Sequence, residues 1–197
     1  MEGKHVITIS REYGSGGRVV GKKLAEILDV PFYDRVEIEK LTVGEGFSDE
    51  AMEKRDQKDK DSFIFNLSAS LGFTHDVDKE HFEEQKKMIE KLYEEGSCVI
   101  IGRCADYILQ GKPDVTSIYM FASEKVRAER AIKEYGLEPS EVYRLMDIND
   151  RTRENYYRYF TGRKWGDADN YHLSINTEHI DTDSLVQLII RYVELRG

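Results

Sequence analysis

A chain of 197 residues with 40% hydrophobic content is long enough for one substantial core. Charged residues make up 34% and the formal net charge is −9, which argues against a generic nucleic-acid or anionic-membrane binder, since such surfaces are normally basic. No apolar run approaches the length of a membrane span and the N-terminus has no signal-peptide apolar region, so a soluble, cytoplasmic protein is expected. The two cysteines, Cys98 and Cys104, are too few for a disulfide framework and lack metal-ligand spacing. Both lie in or just after an apolar run and are expected to be buried free thiols.

His5-Val6-Ile7-Thr8-Ile9-Ser10 reads as a β-branched strand running into a glycine-rich turn, Arg11 to Arg18. A helix follows, with Val20, Leu24, Ala25, Ile27 and Leu28 on one apolar face. Pro31 ends it, and Pro31 to Asp34 is a short second strand. Residues 36 to 95 are mostly helical and highly charged. Within them, Glu50 to Asp61 is a solvated helix or a mobile connection, and Phe63 to Phe73 an apolar patch serving either a subdomain core or a homodimer. His81 to Tyr93 is a helix packed on the main body.

Ser97 to Ile101 is a continuous apolar run, suited to a parallel strand buried on both faces, with a helix following through Asp106 to Leu109. Thr116 to Phe121 is the next strand, and Ser123 is placed to cap a helix running to Tyr135. Glu138 to Phe160 is helical, Thr161 to Asn170 a loop, His172 to Asn176 the last strand and Thr182 to Leu195 the last helix. Strands alternating with helices predict a parallel sheet covered on both faces, with ligands at the carboxyl ends of the strands. Arg11 to Arg18, Asp34-Arg35, Gly102-Arg103 and Ser123 stand just past those ends. Three of the four carry arginine, which makes a basic pocket inside an acidic protein.

The turn Gly14-Ser15-Gly16-Gly17-Arg18, entering a helix, is suited to anions because its backbone N–H groups and the helix dipole point the same way. The standard phosphate-binding loop, G-x-x-x-x-G-K-[ST], supplies a lysine for the β/γ-phosphates and a hydroxyl for magnesium. No Lys-Ser or Lys-Thr pair is present here. The dinucleotide fingerprint G-x-G-x-x-G also fails at Val19, although Asp34 lies at about the distance of its ribose-binding acid. A tight strand–helix connection without a ligand remains the plain alternative. Further along, Arg151 and Arg158 are two helical turns apart and share a face with Asn155, with Arg153 on another side. These arginines either grip phosphate or pair with Asp150 and Glu154. Arg103, directly after a buried strand, must be paired or solvated at the pocket mouth; phosphate is favoured over a local acid such as Asp106. The five histidines show no metal spacing.

Four segments resemble the cytidylate kinase-like proteins, relatives of bacterial cytidylate kinase among the P-loop nucleoside-monophosphate kinases. They are Ile7 to Gly17, Pro31 to Arg35, Val99 to Arg103, and the long run Arg151 to Asn176 with its Asn155-Tyr156-Tyr157-Arg158-Tyr159-Phe160-Thr161-Gly162-Arg163-Lys164-Trp165-Gly166-Asp167. The resemblance implies a P-loop NTPase-like three-layer α/β/α fold with a five-stranded parallel sheet. A single domain would divide into a core (1–35, 93–147 and 169–197), a helical monophosphate-binding insertion (about 36–92) and an arginine-rich lid (about 148–168).

It also implies transfer of the γ-phosphoryl group of ATP to a small-molecule nucleotide acceptor such as CMP or dCMP, with ATP and Mg2+ bound. In that picture Ser10, Gly14, Ser15, Gly16, Gly17 and Arg18 hold the donor phosphates, and Arg127 packs against the donor base. Asp34, Arg35 and Arg103 bind the acceptor, while Arg151 with Arg153 or Arg158 crosses the two phosphates. In the register that best fits the helix, Gly17 stands at the lysine and Arg18 at the hydroxyl position. Arg18 is therefore expected to replace the lysine's charge, and Ser15, or Ser10, to meet the magnesium. The rival reading is a nucleotide-binding regulator or sensor with little turnover, because the Lys-Ser/Thr pair is absent.

Overall fold

The computed structural model describes residues 3–43 and 75–196. Strands β1 (Val6–Arg11), β2 (Phe32–Tyr33), β3 (Cys98–Ile101), β4 (Val115–Phe121) and β5 (Leu173–Asn176) form one sheet in the order β2-β3-β1-β4-β5. Every pairing is parallel, with Ile7 opposite Val99 on one side and Thr116 on the other. Helices α1 (Gly17–Leu28), α2 (Arg35–Val43), α3 (His75–Glu95), α4 (Ala105–Ile108), α5 (Glu124–Tyr135), α6 (Val142–Thr161) and α7 (Thr182–Arg196) connect or follow them. The expected strand–helix alternation is what folds.

Parallel strands buried on both faces need apolar side chains on alternate positions of each face. One face of the sheet presents Ile7, Ile9, Val99, Ile101, Ile118 and Met120 to α1 and α7, where Leu24, Leu185 and Ile189 meet them. The other presents Val6, Cys98, Ile100 and Val115 to α2, α3 and α4, through Ile38, Ile89 and Leu109. Both cysteines are buried and free, as expected, and burial pushes the Cys98 thiol up to about 12. A smaller cluster, Ala128, Ala131, Val142 and Met146, joins α5 to α6. Phe82, Cys104 and Tyr157 join α6 to the other half of the molecule, with Phe82 stacked on Phe160.

Some boundaries differ from expectation for local reasons. Ser123 stands at the N-cap of α5 with extended backbone, yet its hydroxyl makes no cap bond. The helix expected from Glu138 begins at Val142, because Glu138 to Glu141 close a turn first, with the Glu141 N–H donating to the Glu138 carbonyl. The expected loop 161–170 contains a 3-10 turn, Ala168–Asn170. The charged stretch Glu50 to Asp61 and the apolar patch Phe63 to Phe73 lie outside the described residues. Among the described residues, no helix is long and apolar enough to cross a membrane.

Leu24 is fully buried between α1 and the sheet. Leu24→Ala is expected to lower unfolding stability by about 2–5 kcal/mol, read from the midpoint of urea denaturation.

Candidate active site

β1 delivers the chain into the glycine turn at the carboxyl edge of the sheet, and α1 leaves it. Gly16 is the N-cap of α1, with φ of 84° and no side-chain cap, so the first amides of the helix are not consumed by the usual capping hydroxyl or carboxylate. The turn is braced from outside. Gly14, at φ of 75°, packs so closely on α5 that a Cβ would sit 2.4 Å from the Arg127 carbonyl oxygen. The Ser15 carbonyl accepts from Arg130 Nη1 at 3.2 Å and Thr177 Oγ1 at 2.9 Å. The Ser15 hydroxyl is fully buried and donates to the Glu12 carbonyl at 2.8 Å. The hydroxyl expected to meet magnesium is thus hydrogen-bonded within the turn.

Beside the turn lies a cavity of about 200 Å³ lined by Ser10, Arg11, Arg35, Gly102, Arg103, Arg153 and Tyr156, among others. Arg103 enters it from the end of β3 through three successive left-handed residues, Gly102, Arg103 and Cys104, with φ of 72°, 58° and 56°. Non-glycine residues pay about 1–2 kcal/mol for that conformation, so this corner is held by its surroundings. Gln85, buried in α3, donates to the Arg103 carbonyl at 3.1 Å and accepts from the Tyr156 hydroxyl at 3.3 Å. The Arg103 guanidinium lies 5.6 Å from the centre of the Tyr156 ring and is ion-paired with Glu39, while its Nε is buried without a partner. Glu39 also pairs with Arg35, at 2.9 Å.

α6 is fastened to the turn by Asp150. One carboxylate oxygen accepts from the Tyr13 N–H at 2.7 Å and from Arg153 at 3.4 Å; the other takes Arg127. Arg127 in turn donates to the Tyr13 carbonyl at 3.1 Å and stands 3.3 Å from Glu12. Arg153 donates to the Arg11 carbonyl at 3.2 Å. A carboxylate set between a loop amide and two guanidiniums is arranged as a phosphate group would be.

Not every expected residue reaches this place. Arg18 turns outward and pairs with Asp34 at 2.7 Å, with 64% of its side chain exposed. Asp34 uses its other oxygen to cap α2 through the Val36 N–H at 2.9 Å. Arg151 is exposed, pairs with Asp147 at 2.8 Å and lines a second cavity beside Glu12, Glu124 and Trp165. Arg158 is exposed and bonded to Asn155 at 3.0 Å, as the shared face predicts, and lines neither cavity. Arg153, on the other face, is the arginine of α6 that meets the turn. Sequence reasoning named Asp150 only as a pairing partner for the arginines of this helix and gave Arg11 no role, and it missed Glu39 and Gln85. Arg11 was visible as an arginine at the strand end, whereas Glu39 and Gln85 carry no motif.

A protein-family model described as the cytidylate kinase-like family matches residues 6–179. This chain belongs to the cytidylate kinase-like family. A relative named cytidylate kinase, from Saccharolobus islandicus strain Y.G.57.14, is 28% identical over 96% of this chain and 91% of its own. Among solved structures, an uncharacterized protein from Eubacterium ventriosum superposes with a TM-score of 0.76 at 27% identity, covering 98% of this chain and 99% of that one. A shikimate kinase from Acinetobacter baumannii, solved with shikimate, gives a TM-score of 0.54 at 16% identity over 98% and 95%. This more distant likeness shows a shared three-layer α/β fold. The family membership agrees with the resemblance carried by the four segments.

Asp106, at the start of α4, is buried under the site, accepting from Tyr157 at 2.7 Å and Ser10 at 3.4 Å. Burial raises its pKa above the ordinary carboxyl value of 3.8, against the lowering effect of those hydrogen bonds. The native chain therefore holds this proton more readily than the unfolded chain, and the stability it contributes is present at low pH and lost as pH rises through the folded pKa. In Asp106→Asn the amide oxygen keeps Tyr157 and the NH2 group meets Ser10. This variant should be more stable than the parent at pH 7, with the gap closing below pH 3.8, as measured by urea unfolding at stepped pH.

Proposed function

We propose that this protein is an ATP-dependent kinase that transfers the γ-phosphoryl group of ATP to a nucleoside monophosphate of the CMP or dCMP type. The observation that carries the reading is the convergence of Arg103, Arg35 and Arg153, from three separate segments, on one cavity beside the glycine turn. Membership of the cytidylate kinase-like family supports it. When the acceptor is already a phosphate, the reaction needs alignment and charge neutralisation more than a general base. The residues gathered here offer those two things.

In this reading the turn and the first amides of α1 hold the donor phosphates, and Arg103 and Arg35 grip the acceptor phosphate. Arg153 faces the space between them. Glu39, which pairs with both acceptor arginines, gives way as the dianion arrives. The segment about 148–168 acts as a lid, and about 36–92 as the acceptor-binding insertion. Closure excludes the water that would otherwise hydrolyse ATP. Magnesium fits as an ion held mainly by phosphate oxygens and water, since the Ser15 hydroxyl is taken and no group of three His, Cys, Asp or Glu among the described residues could hold it. When bound it neutralises charge on the phosphates. ATP supply places the reaction in the cytoplasm.

A coupled assay with ATP and magnesium against a panel of nucleoside monophosphates should show ADP formation with a cytidine acceptor. Arg103→Ala should lower kcat/KM for the acceptor by about 10- to 100-fold, the loss of a charge-assisted phosphate contact, with ATP affinity held. Full activity in that variant would remove Arg103 from the acceptor site. ATP binding with no ADP formed from any acceptor would leave a nucleotide-binding regulator.

A further inference from the structure

The standard phosphate-binding loop places a lysine after its second glycine to reach the β/γ-phosphates. With Gly16 as that second glycine, this chain has Gly17 at the lysine position and Arg11 at the position of the first glycine. The two exchanged positions are in contact. A Cβ on Gly17 would lie 2.8 Å from Arg11 Cβ and 2.9 Å from Arg11 Cγ, so the stem of Arg11 fills the space through which a side chain at 17 would leave the backbone. Arg11 then reaches across to Gly102, where a Cβ would meet its Nη1 at 2.5 Å. Its guanidinium thus ends between the glycine turn and Arg103, in the cavity that Arg153 also lines.

We propose that Arg11 is the cation of this loop, so that the charge gripping the transferred phosphate comes from the strand side of the turn instead of from the helix side. The inference rests on the kinase reading for the identity of that phosphate. Arg18, the nearer candidate in sequence, is committed to Asp34 at 2.7 Å. Arg11 has no hydrogen bond or ion pair from its side chain among the described residues. Burial first, and then the neighbouring Arg153, pull its pKa well below the usual arginine value, with Asp34 and Asp150 opposing. A guanidinium held in that setting without a bonded acceptor lacks the anion that would offset its desolvation. Its planar fork offers two parallel hydrogen bonds to phosphate oxygens, where a lysine offers a point charge. Gly17 and Gly102 are small because this side chain passes against both.

Three variants test it, with ATP affinity in the presence of magnesium measured by calorimetry separately from turnover. Arg11→Met, which keeps most of the stem, should weaken ATP binding by about 10- to 100-fold, while its melting temperature stays level or rises because a poorly solvated charge has gone. Gly17→Lys alone should bind ATP no better than the parent, since Arg11 blocks the new side chain. The double variant Arg11→Gly with Gly17→Lys, which restores the glycine and the lysine of the standard pattern, should bind ATP at least threefold more tightly than Arg11→Met. ATP affinity in Arg11→Met within threefold of the parent would overturn the proposal, as would a fall in affinity matched by a loss of fold with no recovery in the double variant. Because binding is read directly, a parent that binds ATP without phosphorylating any acceptor would remove the kinase reading and still decide the role of Arg11.

Discussion

Asp150 reaches from α6 to the backbone amide of Tyr13 and there meets both Arg127 and Arg153, so a single carboxylate joins the glycine turn, α5 and α6. Taking a charge out of water is costly unless it is paired and hydrogen-bonded. Without this carboxylate, Arg127 would keep Glu12 and the Tyr13 carbonyl, and Arg153 only the Arg11 carbonyl. The position of α6, and through it of Arg153 and of Tyr156 over Arg103, depends on that junction. An incoming phosphate would offer the same groups more charge and more oxygens than Asp150 does.

The acidic balance of the chain and the basic cavity are two sides of one arrangement. Carboxylates hold most of the arginines around the site: Glu39 pairs with Arg35 and Arg103, Asp150 with Arg153 and Arg127, and Asp34 draws Arg18 outward, while Arg11 has no such partner among the described residues. They keep positive charge in place without a ligand and at the same time limit how many arginines project freely. Tyr156 and Gln85 add geometry to charge at the left-handed corner after β3, where strain is tolerated because the backbone carbonyl and the ring above it are both engaged.

Much of the fold was legible in the sequence. Ser97 to Ile101 suited a parallel strand buried on both faces, and the alternation of such runs with apolar-faced helices leads to a parallel sheet with its loops at one edge. That the glycine turn, Arg103 and the arginine-bearing helix meet at one cavity was legible for the same reason, because strand ends in such a sheet share one edge. The periodicity that put Arg151 and Arg158 on one face was correct, but periodicity does not say which face turns inward. That was decided by packing of Met146 and Tyr157 against α5 and the α3–α4 side, and it brought Arg153 to the turn.

The sequence by itself therefore determined the element order, the parallel sheet, the family and the neighbourhood of the site, since each is written in local composition and spacing. Only the tertiary structure decided how the arginines divide their work. Arg18 is next to the turn in the chain but is drawn off by Asp34, and Ser15 spends its hydroxyl within the turn. Arg11, at the far end of the turn, comes to lie over Gly17 because the chain doubles back there and Gly17 and Gly102 leave it room. A charge acts through space, and its partner is the group that packing places within reach, whatever the distance along the chain.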